Sequence, residues 1–291
     1  MEQRIKGTTG LLALIGSPVG HSGSPAMYNF SFQYHNLDYA YMAFDIKEDE
    51  VPAALDAMRL FKMRGCNVTM PCKNKAAQCV DELSPAARIV GAVNTIVNEN
   101  GKLVGHITDG IGFVRNLKEH GIDVKGKKMV VLGAGGAATA LQVQCALDGA
   151  ARISIFNPND VFLDRAKSTA EKLKKEVPEC KVNVYCIEDQ DKLREIANTD
   201  ILVNGTLAGM KPHDDISLVD KSMFHKNLVV ADVVYNPEET RMLREAKEAG
   251  CKTVGGKGML LWQGAAAYKL YTGLEMPTEE YQKFQTKQEG K

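Results

Sequence analysis

Lys73 is the residue in this sequence best placed to carry a proton. It follows an apolar run that ends at Val68 and the turn Thr69-Met70-Pro71-Cys72, and it opens a stretch, Lys73 to Glu82, whose pattern predicts a helix with Pro71 tolerated at its start. The helix macrodipole makes that first turn a poor place for a cation. A lysine that exchanges a proton with a substrate must have its neutral form within reach, so a lysine there reads as chemistry as well as solvation. Other polar groups recur where predicted strands end: Ser22 and Ser24, then Asn67 and Thr69, then Asn94 and Thr95, then Thr108 and Asp109. In an open α/β sheet the carboxyl ends of the strands line the crevice where ligands bind. Two serines beside a helix start suit a carboxylate, and the Asn, Thr, Lys and Asp groups suit several hydroxyls. Each also has a plainer reading, with Lys73 as a surface lysine, Ser24 and Thr108 as helix caps and Asn94 as a turn residue.

The elements that would hold these groups alternate between short apolar strands and helical stretches, which predicts an α/β fold with mostly parallel sheets. Strands are expected at Leu11–Ile15, Tyr39–Ile46 and Arg64–Thr69, with helices from Ser24 (cap) and Pro25, and from Glu48 to Phe61. Val93–Val97 and Leu103–His106 form a hairpin around Asn98-Glu99-Asn100-Gly101. Thr108-Asp109 cap a helix over Ile111–His120. After Gly121–Gly126, the expected crossing between domains, come strands at Lys128–Leu132, Arg152–Phe156, Val182–Tyr185, Ile201–Asn204, Leu228–Val233 and Lys252–Val254, with helices between them. The last helix group starts in Gly255-Gly256-Lys257-Gly258 and carries Trp262 and Gln263.

Between the strand Lys128–Leu132 and the next helix stands Gly133-Ala134-Gly135-Gly136-Ala137-Ala138, a Gly-x-Gly-x-x-Ala turn inside a βαβ unit. Such a turn lets the backbone approach a pyrophosphate and aims a helix N-terminus at its charge. The following strand ends in Phe156-Asn157-Pro158-Asn159-Asp160, with no arginine before Arg165. A 2′-phosphate calls for an arginine fork, and Asp160 repels one. NAD is therefore the expected cofactor, with NADP a second possibility. Asp160 also fits as the cap of the next helix.

The chain of 291 residues, with 44% hydrophobic and 25% charged residues, is long enough for two globular domains. Its net charge of zero gives no electrostatic footprint for nucleic acid or an anionic membrane. The seven cysteines contain no Cys-x-x-Cys pair, and no His/Cys/Asp cluster has metal-ligand spacing. Reduced thiols, no signal-peptide core and no membrane-length apolar run predict a cytoplasmic protein with no metal. The residues alone leave open another two-domain dehydrogenase of the folate-linked type, and a noncatalytic NAD-sensing module.

Seven motifs in one order narrow this. Ser-Pro-Val-x-His-Ser-x-Ser-Pro (17–25), Asn-Val-Thr-Met-Pro-Cys-Lys (67–73), Gly-Ala-Val-Asn-Thr (91–95), Thr-Asp-Gly-x-Gly (108–112), Gly-Ala-Gly-Gly-Ala (133–137), Val-Tyr-Asn-Pro (234–237) and Gly-x-Gly-Met-Leu-x-x-Gln (256–263) resemble the shikimate dehydrogenase family over nearly the whole chain. Tyr-Met-Ala-Phe (41–44), Met-Arg-Gly (63–65) and Leu-Leu-Trp-Gln-Gly (260–264) look most like its quinate/shikimate branch. The resemblance implies an N-terminal α/β substrate domain over 1–113, completed by helices from about 260 to 291, and a Rossmann-type NAD-binding domain over 114–259 with the cleft between them. It implies hydride transfer between NAD(P) and a ring secondary alcohol of shikimate or quinate, with Lys73 and Asp109 as the catalytic pair. Ser22 and Ser24, helped by Tyr235, would hold the substrate carboxylate; Thr69, Asn94, Asp109 and Gln263 would hold ring hydroxyls. Gly133, Ala134, Gly135, Gly136 and Ala137, with Asn157 and Asp160, would take the dinucleotide, and Val233 and Gly256 would lie near the nicotinamide. A homodimer is compatible with this reading. One departure stands out: Ile107-Thr108-Asp109 replaces the family's usual Asn-Thr-Asp, which removes an amide next to the site while keeping the aspartate.

Overall fold

The computed structural model describes residues 5–289. Contacts divide the chain into two compact units, one running to Thr108 and resuming at Gly264, the other Asp109–Gln263.

The first unit begins with β1 (Gly10–Gly16), α1 (Ser24–Tyr34), β2 (Tyr39–Asp45) and α2 (Val51–Leu60), the last entered through a 3₁₀ turn at Glu48–Glu50. It continues with β3 (Gly65–Val68), α3 (Lys73–Cys79), β4 (Glu82–Leu83), α4 (Pro85–Val90), β5 (Thr95–Glu99) and β6 (Lys102–His106). The sheet order is β2-β1-β3-β5-β6-β4. β1, β2 and β3 run parallel, whereas β5 is antiparallel to both β3 and β6. β4 is parallel to β6, so β5 alone runs against the other five strands and the expectation of mostly parallel strands holds for this sheet. The expected hairpin is there, and Asn98 Oδ1 accepts the Gly101 N–H at 2.7 Å inside its turn.

Three local expectations need correction. The helix from Lys73 stops at Cys79 rather than Glu82, because Val80 turns extended (φ −80°, ψ 159°) and Glu82–Leu83 pairs with β6. α4 was not expected, yet Ser84 caps it by accepting the Ala87 N–H, Pro85 opens it, and Gly91 at φ +73° ends it. Ser24 is not a cap: Gly23 takes that position with no side-chain bond, and Ser22 Oγ accepts the Ser24 N–H at 3.2 Å.

The second unit holds α5 (Asp109–Glu119), β7 (Lys128–Leu132), α6 (Gly136–Leu147), β8 (Arg152–Asn157), α7 (Val161–Glu176), β9 (Lys181–Cys186), α8 (Gln190–Leu193), β10 (Ile201–Asn204), β11 (Val229–Asp232), α9 (Arg241–Glu248) and β12 (Lys252–Val254). All six strands are parallel, in the order β12-β11-β10-β7-β8-β9. This is the doubly wound Rossmann arrangement, in which the winding reverses between β7 and β10. Strands covered on both faces must be apolar throughout, and Met129, Val130, Val131 and Leu132 are fully buried, as are Leu202 and Val203.

α10 (Lys257–Thr272) carries residues of both units, and α11 (Thr278–Glu289) lies in the first. From Gly264 onward the chain packs on α1. The Tyr28 hydroxyl donates to Gly264 O at 3.1 Å, the Tyr268 hydroxyl donates to Ser31 O at 3.2 Å, and Phe30 stacks on Phe284 with ring centres 4.9 Å apart. Among the described residues no helix is long and apolar enough to cross a membrane, and no three His, Cys, Asp or Glu side chains gather as metal ligands.

Candidate active site

In the first unit, one edge of the sheet collects the polar residues singled out by the sequence. β1, β3 and β6 end there and β5 begins there, so the loop with Ser22 and Ser24, the turn with Thr69, the start of α3 with Lys73, and Asn94 share that edge. Backbone bonds fix the register: Ser17 N–H to Met70 O at 3.0 Å, Val68 N–H to Asn94 O at 2.9 Å, and Val93 N–H to Lys73 O at 3.0 Å. Gly16, at φ +152°, passes so close to Thr69 that a Cβ there would collide with the threonine methyl and lie 2.9 Å from Met70 O. A side chain at 16 would push the serine loop away from the Thr69–Lys73 turn.

A buried polar network underlies this edge. The Tyr41 hydroxyl donates to Asn67 Oδ1 at 2.8 Å, and Asn67 Nδ2 donates to Asn94 O at 3.1 Å and to Thr95 Oγ1 at 3.2 Å. Asn94 Oδ1 accepts the Thr108 N–H at 2.8 Å, and Asn94 Nδ2 donates to Thr108 Oγ1 at 3.0 Å. Thr108, fully buried, thus locks the Asn94 amide. The sequence flags Asn94 and Thr95 together but gives no sign that Tyr41 anchors this network through Asn67. Buried polar side chains held this way specify one arrangement. Cys72 stands next to Lys73. It is buried, its thiol donates to Ile46 O at 3.2 Å, and burial first, then Glu48 and Glu50, push its pKa up, so it stays a thiol. Ile107, where an amide was expected, is buried.

In the second unit, Asp109 opens α5 and Gln263 lies on α10. Gly112, one turn beyond Asp109 on the same face, packs backbone to backbone on α10: a Cβ there would lie 2.5 Å from Gln263 N and 2.6 Å from Met259 O. The carboxyl ends of the second sheet carry the remaining candidates. Gly133–Ala137 follow β7, Asn157 and Asp160 close β8, Val233 and Tyr235 follow β11, and Gly256 follows β12.

The glycine turn fits a dinucleotide. Gly133 turns the chain at φ +100°, and its N–H extends the β7–β8 pairing by donating to Phe156 O at 2.7 Å. Gly135 precedes α6 with no side-chain cap, and a Cβ on Gly135 or Gly136 would stand in open space. An uncapped helix N-terminus under a surface stripped of side chains is the geometry a pyrophosphate requires. Asp160 caps α7, its Oδ1 accepting the Phe162 N–H at 2.9 Å and the Asn157 amide at 2.8 Å. Both bonds go to Oδ1, and Oδ2 is the oxygen suited to a ribose diol.

Asp232, at the end of β11, was not flagged by the sequence. It is only 2% exposed and accepts from Val234 N–H, Asn204 Nδ2 and the Thr240 hydroxyl. Burial pushes its pKa from 3.8 up to about 6, against the downward pull of those donors. A carboxyl that holds its proton more tightly when folded makes the native state the larger proton binder between pH ~4 and ~6. Folding stability therefore falls as pH rises through that window, by up to about 3 kcal/mol from this group. Urea unfolding of the wild-type protein and Asp232→Asn from pH 4 to 7 checks this: the wild type should lose stability relative to the variant as pH rises, and parallel curves would refute it.

The matching regions of known proteins fall on these elements. Residues 14–96 match the Shikimate dehydrogenase substrate binding domain, and residues 256–280 match the Shikimate 5'-dehydrogenase C-terminal domain. A shikimate dehydrogenase (NADP(+)) from Listeria monocytogenes serotype 4b is 48% identical over 279 residues, 95% of this chain and 96% of its own. The chain belongs to the shikimate dehydrogenase family. A quinate/shikimate dehydrogenase from Escherichia coli (strain SMS-3-5 / SECEC) is also 48% identical, over 92% of this chain and 94% of its own. A solved shikimate 5-dehydrogenase from Listeria monocytogenes, in complex with shikimate and NAD, superposes with a TM-score of 0.95 at 47% identity, covering 98% of this chain and 99% of its own. The oxidoreductase class and the dinucleotide-linked chemistry expected from the motifs go with membership of the shikimate dehydrogenase family.

Proposed function

We propose that this protein interconverts shikimate or quinate and the corresponding dehydro acid, with NAD preferred over NADP. The observation that carries the reading is the gathering of Ser22, Ser24, Thr69, Lys73 and Asn94 along one sheet edge of a chain that belongs to this family. A nicotinamide dinucleotide, when bound, supplies the hydride acceptor or donor. Gly133–Ala137, Asn157 and Asp160 hold its phosphates and adenosine ribose, and Val233 and Gly256 line its nicotinamide end. Ser22 and Ser24, with Tyr235, hold the substrate carboxylate; Thr69, Asn94 and Gln263 hold ring hydroxyls. In oxidation, neutral Lys73 Nζ takes the proton of the reacting hydroxyl as the hydride leaves its carbon. In reduction, the ammonium form returns that proton to the oxygen. Asp109 orients Lys73 and a neighbouring hydroxyl. The seven free cysteines fit a cytoplasmic setting.

The preference for NAD rests on Asp160, a carboxylate pinned by Asn157 and Phe162 where a 2′-phosphate would sit. A grid of shikimate and quinate against NAD and NADP, read as kcat/KM, tests the whole reading. The expected result is turnover of at least one acid, about tenfold better with NAD, and a shift toward NADP in Asp160→Ser. No turnover with either acid refutes the activity; equal rates with both dinucleotides refute the role of Asp160.

A further inference from the structure

One buried carboxylate ties together the loops at the carboxyl edge of the second sheet. Asp232 Oδ1 accepts the Val234 N–H at 2.9 Å and Asn204 Nδ2 at 3.0 Å, and Oδ2 accepts the Thr240 hydroxyl at 2.7 Å. Asn204 ends the neighbouring strand and passes the restraint on. Its Nδ2 also donates to Ala208 O at 3.0 Å, while its Oδ1 accepts the Thr206 N–H at 3.0 Å and the Thr206 hydroxyl at 2.7 Å. The Thr206 methyl then sits against the glycine turn, 2.6 Å from where a Cβ on Gly133 would be. On the other side, Val234 O accepts the Gly256 N–H at 3.2 Å, and a Cβ on Gly256 would collide with Val233 O and lie 2.5 Å from Val234 O. Three loops, 204–208, 233–235 and 255–256, are thus set relative to the phosphate turn through one side chain.

A charge at the end of an apolar strand is costly to bury, and an apolar residue of similar size would avoid that cost. It would also leave the Val234 N–H, the Asn204 amide and the Thr240 hydroxyl without their acceptor, so the loops would settle elsewhere. Hydride transfer tolerates little such movement, since a misplacement of about 1 Å at the reacting atoms costs about 100-fold in rate.

We propose that Asp232 is a positioning residue for hydride transfer: it fixes the Val233–Tyr235 segment and, through Asn204, the loop beside the glycine turn, so that the nicotinamide ring is held in one orientation. The proposal rests on the assignment of Val233 and Gly256 to the nicotinamide end of the site. It differs from a purely structural role in what it predicts for ligands with and without that ring.

The test uses the full-length protein, with calorimetric binding of NAD and of ADP-ribose (adenosine and pyrophosphate without nicotinamide) alongside turnover of shikimate. In the wild type NAD should bind more tightly than ADP-ribose. Asp232→Asn keeps an acceptor for Val234 and Asn204 but turns an amide toward Thr240. It should lower kcat by about tenfold or more and shrink the affinity gap between NAD and ADP-ribose, while ADP-ribose affinity changes less than about threefold. Should that variant fail to fold, Thr240→Val, which removes one donor, replaces it, and Thr240→Ser, which keeps the hydroxyl, should restore the wild-type kcat and gap. An unchanged gap with kcat per folded molecule at the wild-type value, whatever the change in Tm, overturns the proposal. If the wild type turns over neither shikimate nor quinate, the functional reading fails, and the gap still decides on Asp232.

Discussion

Lys73→Ala should lower turnover of shikimate by about 10²–10⁴ while NAD binds as in the wild type. The two halves of that result come from different parts of the chain. Lys73 opens α3 in the first unit, whereas the glycine turn belongs to the second. Alanine is the best helix former, and the bond that the Lys73 backbone oxygen accepts from the Val93 N–H survives the substitution. The fold therefore has little reason to change, and a melting curve within about 2 °C of wild type would establish that. What disappears is the group proposed to take and return the proton of the reacting hydroxyl. Added methylamine should restore part of the rate if the ammonium group acts in that way. A variant that keeps more than a tenth of the wild-type rate at saturating substrate would end the assignment of Lys73, because positioned acid–base help is worth more than that.

The second sheet is legible in the sequence nearly strand by strand. Ile201–Asn204 and Lys252–Val254 have the expected bounds; the first, buried throughout, opens as an uninterrupted apolar run, whereas the second is a short edge strand bounded by Gly250 and Gly255. β4 is not legible. It has two residues, and its existence depends on pairing with Val104 and Gly105, a tertiary event that overrides the helical pattern running on from Lys73. α4 is a different case: Ser84-Pro85 and Gly91 are ordinary start and stop signals, hidden only by how short the helix between them is. At the site, the loop residues Ser22, Ser24, Thr69 and Asn94 stand out because polar groups there interrupt apolar runs. Asn204 and Asp232 read simply as the ends of two strands. Only the parallel register of β10 and β11, which places Asn204 beside Asp232, turns two strand ends into one hydrogen-bonded unit. Tyr41 is hidden for a similar reason, since its partner Asn67 is 26 positions away and meets it only through the sheet.

Two glycines two positions apart in the same motif should fail in opposite ways when given a side chain, even though a pattern match treats them alike. Gly135 has ordinary extended dihedrals (φ −68°, ψ −178°), and a Cβ there meets nothing within 4 Å. Valine at this position costs the apo fold within about 0.5 kcal/mol. Its methyl groups would occupy the open space above the N-terminus of α6, where the proposed site takes the pyrophosphate. Losing one or two charge-assisted bonds to backbone N–H groups, at about 1.5–3 kcal/mol each, weakens NAD binding by about 100-fold. Gly133 is the reverse. At φ +100° an alanine is strained by about 1–3 kcal/mol, and its Cβ would press the Thr206 methyl at 2.6 Å and so disturb the loop held by Asn204. Gly133→Ala should therefore lower Tm by several degrees and weaken NAD binding only through the displaced turn. Thermal melts and calorimetric titrations of both variants separate the two effects. If Gly135→Val binds NAD like the wild type, the phosphates do not lie at this turn, because a side chain that costs the fold nothing can act only on what approaches from outside.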